Sequence, residues 1–243
     1  MIKKAIYIHM VFIYEKNYGG DNMYITCISA SNTKHMGGKS ASTLVCHIIE
    51  ENVKKAYGSY INTETVALMD YDLKPCILCG SCAKNTICVY DDNFNKILNK
   101  LVQSDAIFFV VPHYSPIPSK LLMVFEKLNE ISYGGYLESK DFVMPTARKP
   151  VGIICHGGCE ESVEVLNYYY ERLVKPIGAT LKSLGFDVIG ADEQHPYGIT
   201  FGLKDDSCIV PVNNEIFPEI VHDWNVIEER ITPLIKKVTE RIL

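Results

Sequence analysis

Four cysteines, Cys76, Cys79, Cys82 and Cys88, stand within thirteen residues in the segment PCILCGSCAKNTIC, spaced C-x2-C-x2-C-x5-C. Two successive three-residue steps wrap a loop around a compact inorganic cube, each thiolate reaching one iron, which is the ferredoxin-like signature of a 4Fe-4S cluster. Zinc also takes four thiolates, but its knuckles usually separate two C-x2-C pairs by a longer stretch. A third reading leaves the four as thiols without metal. The ferredoxin run carries its proline after the last cysteine, whereas here Pro75 precedes the first. A cluster needs a second redox centre to exchange electrons with, and the rest of the chain is read for one.

The elements that must position such a centre are legible as hydrophobic runs. Five short stretches rich in β-branched and aromatic residues read as buried parallel strands: 24–29, 65–70, 106–111, 151–156 and 186–191. Helical patterns follow them. Ala41, Leu44, Val45, Ile48, Ile49 and Val53 repeat at three and four residues, and Asp91-Asp92 offers an N-cap to a stripe of Phe94, Ile97, Leu98, Leu101 and Val102. Later stripes run through Leu121, Leu122, Phe125 and Leu128, through Leu166, Tyr169, Tyr170, Leu173, Val174 and Ile177, and through Ile227, Ile231, Leu234, Ile235 and Val238. Alternating strand and helix predicts an α/β fold with a parallel sheet covered on both faces, and five strands favour the flavodoxin-like order 2-1-3-4-5. Residues 195–222 break the rhythm with three prolines and are expected to be an insertion, a hairpin or an oligomer contact, before the last helix.

In an open parallel sheet, ligands bind beyond the carboxyl ends of the strands where the strand order reverses. Three loops should then be chemically special. The first, residues 29–43, offers hydroxyls, an amide, lysines and a Gly-Gly pair ahead of a helix; Ser29, Ser31, Asn32, Lys39 and Ser40 are candidate phosphate donors at a helix N-terminus. It has neither GxGxxG nor Walker spacing, which disfavours ATP or GTP, and the plain alternative is a solvated, capped turn. The second, Pro112, His113, Tyr114 and Ser115 in PHYSPIPS, is stiffened by prolines and presents a flat aromatic face, which suits a planar heterocycle; a stiff turn with a partly buried tyrosine is the plainer reading. The third, with His156, Gly157 and Gly158, lets backbone approach a ligand closely, although a lone histidine at a strand end is more often structural.

These loops, in this order and with the cysteine segment between them, resemble the flavodoxin-like NAD(P)H-dependent FMN reductases, and among them the iron-sulfur flavoproteins. The resemblance spans about residues 23–192 and rests on the phosphate loop from Ser29 to Ser40, the cysteines from Pro75 to Cys88, Asp91-Asp92, and Pro112-His113-Tyr114. It departs from the family pattern in a longer phosphate loop, in Asn32 or Lys34 where arginine is common, and in Leu122 and Glu126-Lys127 where lysine and Asp-Arg are frequent. The resemblance implies FMN, with its phosphate in the first loop and its ring against the second and third. Flavin chemistry needs no dedicated acid or base on the protein, because the ring itself accepts hydride or electrons. It further implies an electron-transfer oxidoreductase passing electrons between FMN and a 4Fe-4S cluster, with NAD(P)H or a ferredoxin-type protein as donor and a homodimer or homotetramer as the assembly. One alternative is a clusterless NAD(P)H-dependent FMN reductase acting on quinone-like or nitro acceptors. Another is a non-enzymatic redox carrier or sensor.

Composition sets the outer bounds. At 243 residues, 47% of them hydrophobic, the chain can bury a sizeable core. A formal net charge of −5 with no basic run argues against a nucleic-acid partner. The apolar run at residues 5–14 has no small-residue cleavage site after it, and about ten residues cannot span a bilayer, so a cytoplasmic protein without a membrane partner is expected. Nine cysteines, an odd number, then read as thiols or ligands rather than disulfides, with Cys27, Cys46, Cys155, Cys159 and Cys208 as small hydrophobes or incidental thiols. Residues 1–22 are expected to be an extension to the domain at 23–243, and two readings of them stand side by side. Gly19-Gly20 ahead of Met23 is what a ribosome-binding sequence before a start at Met23 would encode; otherwise the segment is a β-rich edge.

Overall fold

The computed structural model describes residues 22–204 and 224–243; the expected N-terminal extension, apart from Asn22, lies outside them, as do Cys208 and most of the expected insertion. The sheet is parallel throughout, in the order β2-β1-β3-β4-β5. Its strands are β1 (Met23–Ser29), β2 (Ile61–Ala67), β3 (Ala106–Pro112), β4 (Pro150–Glu160), β5 (Asp187–Ile189) and β6 (Ile199–Lys204). The helices are α1 (Ala41–Tyr57), the short α2 (Cys82–Asn85), α3 (Asp92–Gln103), α4 (Ser119–Glu138), α5 (Val163–Tyr169), α6 (Lys175–Ser183) and α7 (Trp224–Thr239). This is the flavodoxin-like arrangement expected from the alternating pattern.

Side chains of successive strand residues point to opposite faces, and β3, buried at every position, builds two cores at once. Phe109 joins the cluster under α3, α4, α6 and the turn ahead of α6, meeting Phe125 edge-on at 5.9 Å between ring centroids. Phe108 joins the cluster under α1 and α7. Cys27 and Cys46 are buried in this second cluster and Cys155 in the first, as small hydrophobes would be.

The second strand is shifted from its expected place. It runs over Ile61–Ala67, and the apolar Leu68 and Met69 instead begin a 3-10 turn, Leu68–Asp70, in which both are buried. As an edge strand, β2 is half-exposed and polar: Glu64 pairs with Lys100 and accepts from Thr26. Its sequence therefore lacks the apolar run that marks a buried strand.

The far edge differs too. β5 is only three residues long, pairing Asp187–Ile189 with Pro150–Gly152. The chain leaves the sheet at Gly190, then returns as β6 along the same edge, pairing Ile199 with Ile154 through Lys204 with Glu160. The first part of the expected insertion is thus a parallel strand, and β4 extends past His156 to meet it. Between α5 and α6 the helix widens into a π turn, Tyr170–Val174, which buries Tyr169 and Tyr170 side by side.

Because Phe108 and Phe109 are both fully buried, replacing either with Ala is expected to cost about 3–5 kcal/mol. Denaturant unfolding checks this, read as a lower midpoint with an unchanged slope.

Candidate functional site

The carboxyl ends of β1, β3 and β4 open into the three loops singled out above. After β1, the chain passes a 3-10 turn, Lys34–Lys39, and enters α1 at its N-cap Ser40. The buried hydroxyls of Ser29 and Ser40 each lie 2.9 Å from that of Thr43, and Ser40 Oγ accepts the Thr43 amide. Ser31 Oγ accepts the Thr33 amide and lies 2.6 Å from its hydroxyl. The three serines thus hold the loop in shape, while Asn32 and Lys39 are exposed.

After β3, the His113 amide donates to the His156 carbonyl at 2.7 Å and the Tyr114 amide to Pro116. Ser115, exposed, takes a left-handed φ of 54°. Just beyond, Lys120 at the start of α4 donates to the carbonyls of Leu68, Met69 and Tyr71 at 3.1, 3.1 and 2.6 Å. Burial, then the neighbouring charge of Lys34, pulls its pKa down. Its ammonium ties the turn after β2 to the loop after β3.

After β4, His156 is 3% exposed and stacked on Phe201, with ring centroids 5.1 Å apart. Its Nε2 lies 2.8 Å from Ser42 Oγ in the first turn of α1. Burial lowers its pKa to about 3, so the ring is neutral. Its Nδ1, and Nε2 of His113, are buried without a hydrogen-bond partner among the described residues. Tyr169 packs flat against Gly157, where any Cβ would overlap the phenol, and its hydroxyl accepts the Cys159 amide at 3.2 Å. The His113 ring lies 5.4 Å from those of Tyr168 and Tyr169. Gly158 and Cys159 are exposed.

The structure therefore gathers Pro112, His113, His156 and Gly157 at adjoining strand ends, with Ser29 and Ser40 at the root of the neighbouring loop. Sequence reading passed over Ser42, Lys120, Tyr168, Tyr169 and Phe201. Tyr169 and Tyr170 stand in the apolar stripe of a helix, and Tyr168 lies outside it. Ser42 and Phe201 carry no local signal, since each matters only through a partner more than forty residues away.

The cysteine segment forms its own structure between β2 and α3. Three left-handed residues, Leu78, Gly80 and Thr86, coil it, with φ of 53°, 68° and 60°. Asn95 fixes its end, accepting the Cys88 amide at 2.9 Å and donating to the Cys88 carbonyl at 2.7 Å. Asp91 caps α3 as expected, through the Phe94 amide. All four cysteines line one pocket that opens to solvent. Burial, then the charges of Cys88, Cys76 and Cys79, push the Cys82 thiol up, whereas hydrogen bonds from Ser81 pull exposed Cys79 down. Among the described residues no three His, Cys, Asp or Glu side chains already stand in metal-holding geometry.

A profile of the NADPH-dependent FMN reductase family matches residues 23–175, well over half of the chain. The chain belongs to this family. As a member it is an FMN-dependent oxidoreductase. Two curated relatives are named iron-sulfur flavoproteins. One, from Methanosarcina thermophila, is 25% identical over 191 residues, covering 77% of this chain and 87% of that protein. The other, from Methanocaldococcus jannaschii, is 26% identical over 111 residues, covering 45% and 55%. Among solved structures, an NAD(P)H:quinone oxidoreductase from Methanothermobacter marburgensis superposes with a TM-score of 0.55 at 15% identity, over 90% of this chain and 96% of that one. An azoreductase from Bacillus anthracis gives 0.52 at 13%, over 90% and 98%. These two share the fold.

The neutral His156 of this FMN reductase family member carries a pH signature. The folded state keeps the imidazole unprotonated down to about pH 3, while the unfolded chain protonates it near 6.5. Acid therefore favours unfolding. His156 contributes fully above pH 6.5 and costs up to ~1.4 kcal/mol per pH unit below it. His156→Phe should be the less acid-sensitive protein, by about 2 kcal/mol between pH ~6.5 and ~5, measured as the difference in unfolding free energy at each pH.

Proposed function

We propose that this FMN-dependent oxidoreductase holds a 4Fe-4S cluster on Cys76, Cys79, Cys82 and Cys88 and exchanges electrons between it and FMN. The observation that carries the reading is that all four cysteines line one pocket. Four thiolates gathered at one site repel one another, and iron supplies the positive centre that lets them stand together. The names of the two relatives and the cysteine spacing point the same way.

FMN is assigned to the carboxyl ends of β1, β3 and β4. When bound, it supplies a ring able to take a hydride or two electrons and to release them singly. The phosphate goes to the loop after β1, where Asn32 and Lys39 are exposed and α1 presents its N-terminus, on a turn held by Ser29, Ser31 and Ser40. The ring lies against Pro112, His113, Tyr114 and Ser115 on one side and His156, Gly157 and Gly158 on the other. The unpartnered nitrogens of His113 and His156 are the buried polar atoms that a ligand there would satisfy. Neutral His156 donates or accepts a hydrogen bond without placing a charge beside the ring, and Tyr169 keeps the β4 loop in position.

A small-molecule donor, NAD(P)H, fits this family, and a ferredoxin-type protein is the other donor class. Exposed Ile77, Leu78 and Tyr90 line the cysteine pocket, which supports a homodimer or homotetramer bringing one subunit's cluster to another's flavin. Among the described residues no helix is long and apolar enough to cross a membrane.

Anaerobic purification, a visible spectrum and analysis of iron, sulfide and zinc test the reading. The expected result is FMN together with about four irons and four sulfides per chain. Cys82→Ser should lose iron and sulfide and keep FMN. Flavin with no iron, together with rapid NADPH oxidation by quinones, would establish the clusterless reductase instead; a protein that takes no FMN would overturn the assignment.

A further inference from the structure

The cysteine segment is closed by an ion pair that the flavin chemistry does not use. Lys127, on α4, and Asp91, ahead of α3, have side chains only 3% and 1% exposed, with Lys127 Nζ 3.0 Å from Asp91 Oδ2. The same ammonium donates to the Lys74 carbonyl and lies 5.4 Å from the centroid of the Phe94 ring, within cation–π reach. Asp91 Oδ2 also accepts the Lys74 amide at 2.9 Å, and Oδ1 the Phe94 amide at 3.1 Å. Both backbone groups of Lys74, two residues before Cys76, are thus bound to the pair, and Asp91 itself stands three residues beyond Cys88. The two ends of the cysteine segment meet on one buried contact.

The pair is also oriented. Lys127 lines the pocket that holds the four thiols, and Asp91 does not. The other charged side chain on the wall is Glu130, which is half-exposed and screened by water. The buried pair therefore turns its positive end toward the pocket. A buried ion pair adds little net stability over well-packed apolar side chains, so stability alone is a weak reason for it.

We propose that Lys127 is the positioning residue of the cysteine pocket: with Asp91 it clasps the two ends of the segment, and its charge favours the reduced state of whatever redox centre the four thiols hold. The second half rests on the cluster reading given above. A cluster bound by four thiolates is anionic and gains a further negative charge on accepting one electron, so an ion pair that turns its ammonium end toward the cluster and its carboxylate away raises the reduction potential. Asn95 pins Cys88 and the clasp pins Lys74, which together set the span that the ligands must cover.

The test uses full-length Lys127→Met, Lys127→Gln and Lys127→Arg proteins, loaded with FMN and reconstituted anaerobically with ferrous iron and sulfide. Two readouts are taken: the cluster midpoint potential from a redox titration followed by electron paramagnetic resonance, and hydrogen exchange of amides 74–91 in FMN-loaded, cluster-free protein. In Lys127→Met the reduction equilibrium should move at least tenfold toward the oxidised cluster, about 59 mV for one electron, with FMN content unchanged. Exchange in the segment should quicken at least tenfold, while β3 amides stay protected. Lys127→Gln keeps a donor for Lys74 without the charge, so it should shift the potential as far yet slow exchange back toward wild type; it stands in for Met should that variant not fold. Lys127→Arg should restore both. An unchanged potential in charge-free variants that hold a full cluster, or unchanged exchange in Lys127→Met, would overturn the proposal. If the wild-type protein takes up no iron, the cluster reading fails, and the exchange arm alone decides whether the clasp exists.

Discussion

One backbone hydrogen bond, from the His113 amide to the His156 carbonyl, carries the β3–β4 ladder past the end of β3. Pro112, the last residue of β3, pairs with His156 but has no amide to donate, so the ladder would end there without His113. This bond fixes the loop after β3 to the strand that bears His156, Gly157 and Gly158. Ser42 then ties His156 to the first turn of α1, and Tyr169 braces the far side of the same strand. Three loops that leave three different strands are in this way held as one surface. A parallel sheet puts its strand ends on a common edge, but only such cross-links fix the distances between them.

The architecture was legible because periodicity depends on burial, and the central strands are buried on both faces. Val110 and Val111 are fully buried in β3, as are Ile153 and Ile154 in β4, and such runs have few competing interpretations. The edges were less legible for the same reason. β2 faces water with Asn62, Thr63 and Glu64, and β6 follows a mostly polar turn with one proline, Pro196, so neither stands out as the apolar run by which a strand is recognised. The split of the far edge into β5 and β6 depends on contacts of Gly190 with the backbone of His195 and Pro196, which no local pattern records.

At the candidate site, residue types were easier to read than residue tasks. Ser29 and Ser40 stand out as donors in sequence, yet their hydroxyls meet each other's partner, Thr43, inside the fold. His156 reads as a lone histidine because its partners, Ser42 and Phe201, are distant in the chain. The cysteines were the clearest signal of all, since ligand spacing is itself local. What spacing could not give was the environment: an amide side chain gripping Cys88, and an ion pair that joins α4 to the residue ahead of α3.

The π turn at Tyr170–Val174 shows how the same chain serves two surfaces with neighbouring residues. Tyr169 leans on Gly157, whereas the Tyr170 hydroxyl accepts the Tyr197 amide and its ring meets His195 edge-on at 4.9 Å. A regular helix turns about 100° per residue, so losing a single residue from this wide turn would swing everything before it by that angle and carry Tyr169 off the β4 loop. This stretch can drift in composition, but its length is locked: one codon gained or lost there would misalign the loop while leaving every hydrophobic side chain in the sequence.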